Sequence, residues 1–471
     1  MKTQNLLHPL KIHFTDIETF SPAGVPDPHD PQDPINVITV YDTLAKKFYT
    51  WGTSKYTGEN PNDLIFIYCN DEKELLQKYL DFFIKDRPDI LSGWNSTGFD
   101  VPYIINRLKK VLGEDATNTL SPINRLRTRE FTGKFGKPQI QWYIEGISCI
   151  DYLDIYRRFC PVLRESYKLG NIGELELGES KVDFGDTDLA TLATENWNIF
   201  VDYNIQDVRL LIKLEEKLQY IALLRMIAYF GLTTFEGALG SVGVFIGLCA
   251  CEARKRKQCI PTFARTIEDD TQNIGAYVAE PKRGFQECIV TYDANSLYPN
   301  TMISLNLSPE TKIGRIIENT DKEVVVQHVN GQEFRLSPES FLEFIKKENI
   351  AVSKARILFS QNEKGIIPAF LDRIYQQRLD IKEKLKKLKK QLSRIKKDLN
   401  NEKLKKVENE IDRLDILQYT IKIVLNFVYG CTGNRYNPMG DDELAESVTL
   451  TGQAVIKESN IVPAIRNKAC Y

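Results

Sequence analysis

Short β-rich runs at Lys11–Thr15, Val37–Tyr41, Leu64–Tyr68 and Ile90–Trp94 predict strands, the first leading into Asp16-Ile-Glu-Thr-Phe. Between the third and fourth, Leu75, Leu76, Tyr79, Leu80 and Phe83 fall at helical spacing, so Glu72–Lys85 predicts a helix, with Pro88 beyond its end. Asn196–Leu224 again reads as helix. Strands separated by helices favour an α/β core. Near residue 225 the text turns small and Gly-rich, as in Phe235-Glu-Gly-Ala-Leu-Gly-Ser-Val-Gly, which places a domain boundary between about 222 and 270. A second β-rich stretch follows at Gly275–Ala279, Glu287–Tyr292 and Glu323–Val329, where Asn330-Gly331 predicts a hairpin turn.

The pattern then changes period. Apolar residues recur at 385, 388, 392, 395 and 399, then at 404, 407, 411 and 414, with an interruption at Asn400-Asn401. This spacing predicts two long helices folded into an antiparallel hairpin with facing apolar seams. Residues 373–406 hold 14 Lys/Arg against 4 Asp/Glu, a local charge of +10 in a chain whose total is −2. Bulk charge therefore names no partner, while the hairpin supplies a local phosphate-attracting field.

At 471 residues the chain has room for about three domains. No apolar run is long enough to span a bilayer, and the N-terminus lacks a secretory h-region, so the expectation is a soluble, cytoplasmic protein without membrane partners. Nine scattered cysteines and four histidines (8, 13, 29 and 328) argue for reduced, mostly buried thiols and against a structural zinc site.

Candidate chemistry in the first half is carboxylate chemistry. Asp16 and Glu18, two apart on a strand, share a face, and Tyr203 and Asp207, four apart on a helix, share another. Asp100 ends Trp94-Asn-Ser-Thr-Gly-Phe-Asp. Four carboxylates and a phenol are able to hold two divalent cations about 3.5–4 Å apart, the arrangement that cleaves phosphodiesters. Oxygen-only ligands suit Mg²⁺ or Mn²⁺. The ordered set Asp16-Ile-Glu18-Thr, Asn95-x-x-x-Phe99-Asp100 and Tyr203-x-x-x-Asp207 resembles the 3′→5′ exonuclease domain of family B DNA polymerases. That resemblance implies an RNase H-like α/β fold, metal ligation by Asp16, Glu18, Asp100 and Asp207, and a water-orienting Tyr203.

The second half extends the resemblance. Ile289-Val-Thr-Tyr-Asp293-Ala-Asn-Ser296-Leu297-Tyr298-Pro is similar to the first polymerase motif of that family, D-x-x-S-L-Y-P. The likeness implies that Asp293 holds metal, that Ser296 and Leu297 meet the triphosphate and that Tyr298 excludes a 2′-hydroxyl. Lys422-Ile-Val-Leu-Asn426-Phe-Val-Tyr429-Gly430 resembles the second motif, K-x-x-x-N-x-x-Y-G, and its i, i+4, i+7 spacing puts ammonium, amide and phenol on one helical face. Arg378 and Lys382 stand where the family carries a basic pair that grips the β- and γ-phosphates. Asn70-Asp-Glu-Lys-Glu-Leu-Leu, Gly275-Ala-Tyr-Val-Ala-Glu-Pro and Asn306-Leu-Ser-Pro-Glu-Thr narrow the resemblance to the T-even-like phage replicative type.

The implied layout is exonuclease over 1–225, a connecting segment over 226–270, the first part of a palm over 271–372, helical-hairpin fingers over 373–425, and a return to the palm over 426–471. Against that family, the expectation is of a chain largely without the domain that usually precedes the exonuclease, without the second palm aspartate of a D-T-D motif after Gly430, and without the thumb. Gly440-Asp-Asp-Glu follows the helix too closely to replace that motif, and Gly185-Asp186-Thr187-Asp188 spells it in the wrong place, where an N-cap is the simpler reading. The expectation is the N-terminal portion of a split or truncated polymerase. It would have two Mg²⁺ or Mn²⁺ per active site, primer–template DNA and dNTPs as substrates, and a second chain carrying the D-T-D strand, the thumb and any contact with a sliding clamp. The exposed palm edge predicts such a partner. If phage-encoded, it would act in the host cytoplasm. A stand-alone exonuclease with a polymerase remnant and a non-catalytic nucleic-acid scaffold remain as alternatives.

Overall fold

The computed structural model describes residues 8–19, 24, 26–58, 61–132, 138–179, 189–261, 275–280, 283–285, 287, 293–395, 401–434 and 436–466. Glu287–Tyr292 beyond its first residue and the Gly185–Asp188 string lie outside them. The fold is mixed α/β, and the chain divides into two units between Leu224 and Arg225.

The first unit is built on a six-stranded sheet. Its strands are β1 (Ile12–Thr19), β2 (Ile35–Asp42), β3 (Lys47–Gly52), β4 (Leu64–Tyr68), β5 (Ile90–Gly93) and, after a separate antiparallel pair β6 (Leu126–Thr132) and β7 (Pro138–Ile144), β8 (Ser148–Asp151). Their order is β4-β3-β2-β1-β5-β8. The pairs β1–β2 and β2–β3 are antiparallel, whereas β3–β4, β1–β5 and β5–β8 are parallel. Helices of this unit are α1 (Glu72–Lys85), α2 (Asp100–Leu112), α3 (Glu114–Asn118), α4 (Tyr152–Phe159), α5 (Leu169–Leu177), α6 (Leu189–Glu195) and α7 (Trp197–Leu218).

The helix α1 follows its sequence closely. Asp71 caps it by accepting from Glu74 N–H at 2.8 Å, and Leu75, Leu76, Tyr79, Leu80 and Phe83 are its buried stripe. These join Ile17, Trp51, Tyr103 and Leu108 in one core, each such side chain contributing about 1.5–3 kcal/mol of burial. Because strand residues alternate, Ile17 enters that core while Asp16 and Glu18 face the other way, towards α7.

The helix predicted over 196–224 is two. Gln219 adopts a left-handed conformation (φ 54°) and ends α7, and α8 (Tyr220–Gly231) begins at once. The break is stabilised by Glu215, whose carboxylate accepts the otherwise orphaned N–H groups of Ile221 and Ala222. Helical periodicity continues across such a break, so the sequence alone reads as one element.

In the second unit, α9 (Phe235–Leu239), α10 (Ser241–Lys255) and α11 (Leu297–Ser304) precede a five-stranded antiparallel sheet. It comprises β9 (Lys312–Asn319), β10 (Val324–His328), β11 (Glu333–Leu336), β12 (Ile350–Val352) and β13 (Ile357–Ser360), with α12 (Pro338–Lys347) between β11 and β12, in the order β11-β10-β9-β13-β12. Gly331, at φ 88°, sits in the turn joining β10 to β11, where the Asn-Gly pair predicts it. Gly275–Ala279 is exposed and forms no strand. Among the described residues, α15 (Asp442–Arg466) reaches it with side chains: Gln453 donates to Gly275 O at 2.8 Å, and the Lys457 ammonium lies 4.9 Å from the Tyr277 ring centre.

Two long helices, α13 (Ile366–Ile395) and α14 (Asn401–Thr432), pack along each other. Ile381 and Leu385 are buried on one, and Ile411 and Leu414 on the other. Among the described residues no helix is long and apolar enough to cross a membrane. Cys69, Cys149, Cys249 and Cys431 are buried free thiols, Cys160 and Cys251 are half-buried, and Cys259 is exposed.

Candidate active site

Three elements of the first unit converge on one cleft of about 470 Å³. From β1 come Asp16 and Glu18, from the start of α2 comes Asp100, and from α7 come Tyr203 and Asp207. Thus the five residues selected from the sequence line a single cavity. Trp94, Asn95 and Phe99 of the β5–α2 loop also line it, with Lys168 and the first turn of α5.

Hydrogen bonds fix the acids. Asp100 Oδ1 accepts the Ile17 N–H at 3.1 Å, tying the head of α2 to β1 between the two strand carboxylates. The buried Asn204 donates from Nδ2 to Asp16 Oδ2 at 2.7 Å, tying α7 to the same strand. Gly93 lets these elements approach. A Cβ there would lie 2.6 Å from Thr15 O and 2.8 Å from Ser96 Cβ, so β5 passes β1 at a distance only glycine allows.

Electrostatics make the cleft costly by itself. Asp100 is 4% exposed, and burial, reinforced by the charges of Asp151 and Asp207, pushes its carboxyl up to about 7. A set of oxygen donors whose charges oppose one another in a partly dry cleft fits hard divalent cations, which relieve that repulsion. Sequence reading does not single out Asn204, Asp151 or Lys168. The available signals are the i, i+3 spacing of Asn204 to Asp207 and the position of Asp151 at the end of an apolar strand.

A second polar cluster lies towards the other end of β1, where ligand atoms of His13, Asp42 and Asp86 come within 4.8 Å of one another. The Lys11 ammonium bridges Asp86 there and supplies the counter-charge.

In the second unit Asp293 is exposed just ahead of α11. Ser296 takes a left-handed conformation (φ 51°), and Leu297 starts the helix. Tyr298 packs against Tyr429 of α14 with ring centres 4.7 Å apart and planes tilted by 51°. Behind it, a Cβ on Gly452 would sit 3.1 Å from Tyr298 Cε1, so α15 passes close to that ring. Along α14, Val424, Leu425 and Val428 are buried, which turns Lys422, Asn426 and Gly430 outward. The helix α11 touches both α13 and α14, so the two sequence motifs meet.

Arg378 on α13 is half-buried, and its Nε has no hydrogen-bond partner among the described residues. Lys382, one turn on, opens a groove of about 610 Å³ with Leu385, Lys386, Lys389, Lys390 and Ser393, faced by Asp415 and Gln418 of α14. Lys389 pairs with Asp415 at 2.9 Å. Lys422 lies one turn beyond Gln418 on the same helix. The acidic turn Gly440-Asp-Asp-Glu is engaged elsewhere: Asp441 and Glu443 both bridge Lys312 of β9.

Comparison with known proteins agrees with this arrangement. Residues 1–172 match the model of the DNA polymerase family B exonuclease domain, and residues 244–469 match that of DNA polymerase family B. The DNA-directed DNA polymerase of Escherichia phage RB69 is 26% identical over 95% of this chain and 54% of its own length. That of Enterobacteria phage T4 is 25% identical over 92% of this chain and 53% of its own. The DNA polymerase delta catalytic subunit of Plasmodium falciparum is 29% identical over 96% of this chain and 39% of its own. The chain thus spans about half the length of the phage relatives it matches. With both characteristic domains of one family matched, in order and across most of its length, the chain belongs to the family B DNA polymerases.

Proposed function

We propose that this chain carries a 3′→5′ exonuclease that removes nucleotides from a DNA primer, together with the nucleotide-binding part of a replicative, phage-like DNA polymerase. The observation that carries the first half is the convergence of Asp16, Glu18, Asp100, Tyr203 and Asp207 on one cleft. In this reading Asp16, Glu18, Asp100 and Asp207 would hold two Mg²⁺ or Mn²⁺ ions. Bound there, such ions polarise the phosphodiester and make water a better nucleophile at neutral pH. The protein's own contribution is positional. Asn204 orients Asp16, Ile17 N–H orients Asp100, and the Tyr203 phenol orients the attacking water.

For synthesis, Asp293 would ligate metal, and Ser296 and Leu297 would meet the triphosphate. Tyr298, supported by Tyr429 and backed by Gly452, would close the space beside the sugar's 2′ carbon. Lys422 and Asn426, with Arg378 and Lys382, would take the triphosphate. Lys386, Lys389 and Lys390 extend that positive field along α13, which favours DNA and dNTP approach and makes binding salt-dependent. Polymerisation also takes a second palm carboxylate and a thumb, from polypeptide beyond these residues or from a second chain. A sliding clamp would be reached the same way.

The test is incubation of the chain with Mg²⁺ and a 5′-labelled primer–template, with and without dNTPs. Shortening from the 3′ end is expected. Asp16→Ala with Glu18→Ala abolishes it while leaving salt-sensitive DNA binding. Metal-dependent degradation that survives this double substitution overturns the assignment.

A further inference from the structure

We propose that Asp151 is a positioning residue of the acidic cleft, fixing the backbone of the β5–α2 loop and through it the place of Asp100, without touching substrate or cation. The inference rests on the exonuclease reading for its consequence and on geometry for its substance. Asp151 ends β8, opposite Gly93 in register, and is 4% exposed. It is absent from the lining of the cleft.

Its two oxygens are fully used. Oδ1 accepts the N–H groups of Asn95 and Leu153, each at 2.9 Å. Oδ2 accepts the Thr97 N–H at 3.1 Å and the Thr97 hydroxyl at 3.0 Å. The bond to Leu153 is the N-cap of α4, a role that several polar residues fill. The other three bonds all go to one loop, and that loop is under constraint. Asn95 is held at φ 61°. Its carbonyl then accepts from Phe99 N–H at 3.0 Å, and Ser96 O accepts from Val101 N–H at 2.9 Å. These bonds seat the first turn of α2, whose first residue is Asp100.

A carboxylate suits this place for a chemical reason. The four groups arrayed around Asp151 all donate. An amide would accept at one oxygen but turn its NH₂ towards the Thr97 N–H, leaving two donors facing each other. Burying an anion is unfavourable unless every lone pair is engaged, and here the anion acts on the loop that carries a cleft acid.

The test uses the full chain with Asp151→Asn, Thr97→Val, which deletes only the hydroxyl bond, and Thr97→Ser, which keeps it. For Asp151→Asn the exonuclease kcat should fall about 10–100-fold with KM for primer unchanged, in line with outer residues that orient metal ligands. Calorimetric titration with Mn²⁺, without DNA, should show weaker binding. Hydrogen exchange should quicken at Asn95 and Thr97 while α4 stays protected. Thr97→Val should fall between, and Thr97→Ser should match the unaltered chain.

Unchanged exchange at 95–97 and unchanged Mn²⁺ affinity in Asp151→Asn overturn the proposal. So does exchange that rises throughout the first unit together with a lower Tm, which marks a general structural role. If Asp151→Asn does not fold, Thr97→Val against Thr97→Ser decides by the same readings. Absence of primer shortening by the unaltered chain refutes the exonuclease reading instead, and exchange and Mn²⁺ binding still judge Asp151.

Discussion

Replacing Glu215 by Gln should convert a pH-dependent part of the first unit into a pH-independent one. Its carboxylate sits under the Gln219 break, accepting from the N–H groups of Ile221 and Ala222 and from the Tyr152 hydroxyl at 3.0 Å. Burial outweighs these donors and pushes the carboxyl up from 4.5 to about 7. An acid whose pKa is raised by folding binds its proton more tightly in the folded state. Stability is therefore lost as pH rises from about 4.5 to about 7, and is flat beyond. At 1.36 kcal/mol per pKa unit, the loss from this one group is about 3 kcal/mol. Gln keeps an acceptor for the backbone and a donor for Tyr152 but has no charge to bury.

The assay is urea unfolding near pH 5 and near pH 8, followed by tryptophan fluorescence. All four tryptophans (51, 94, 142 and 197) lie in the first unit, so the signal reports the unit that contains Glu215. Because a part of the loss already lies below pH 5, the stability difference between Glu215→Gln and the unaltered chain should move by about 2.5 kcal/mol in favour of the variant from the lower pH to the higher. Taking the difference at two pH values cancels any pH-independent cost of the substitution. A shift below about 1 kcal/mol, or one of opposite sign, refutes the reasoning.

Gly93→Ala should destabilise the first unit by about 1–3 kcal/mol, because the new methyl meets Thr15 O and Ser96 Cβ inside 3 Å. Primer shortening should fall further than the urea midpoint alone accounts for, since the strand that must move carries Asp16; loss of stability with a normal rate contradicts this. Lys386→Glu, Lys389→Glu and Lys390→Glu together should weaken DNA binding and flatten its dependence on salt, measured by anisotropy between low and moderate ionic strength. An unaltered salt slope removes the α13 groove from the DNA-attracting surface.

Local chemistry is legible in the order of residues along the chain. Period-two alternation puts Asp16 and Glu18 on one face, helical spacing joins Tyr203 to Asp207 and Lys422 to Asn426, and the pattern over 72–85 marks out α1. Such patterns depend on neighbours within a turn or two, and those neighbours are close in sequence. Other features require distant segments to meet. Gln219 interrupts an apparently continuous helix because Glu215 offers an alternative cap, and Gly275–Ala279 stays out of a sheet while α15 side chains hold it. Asn204 and Asp151 carry no motif that marks them. Their partners, Asp16 and the loop at 95–97, are 188 and about 55 residues away, and only closure of the sheet brings them within hydrogen-bonding distance. Which acids and cations are available, and which of them share a face, follows from residue order alone. Which faces meet follows from packing, because burial and pairing across long chain separations are properties of the folded molecule.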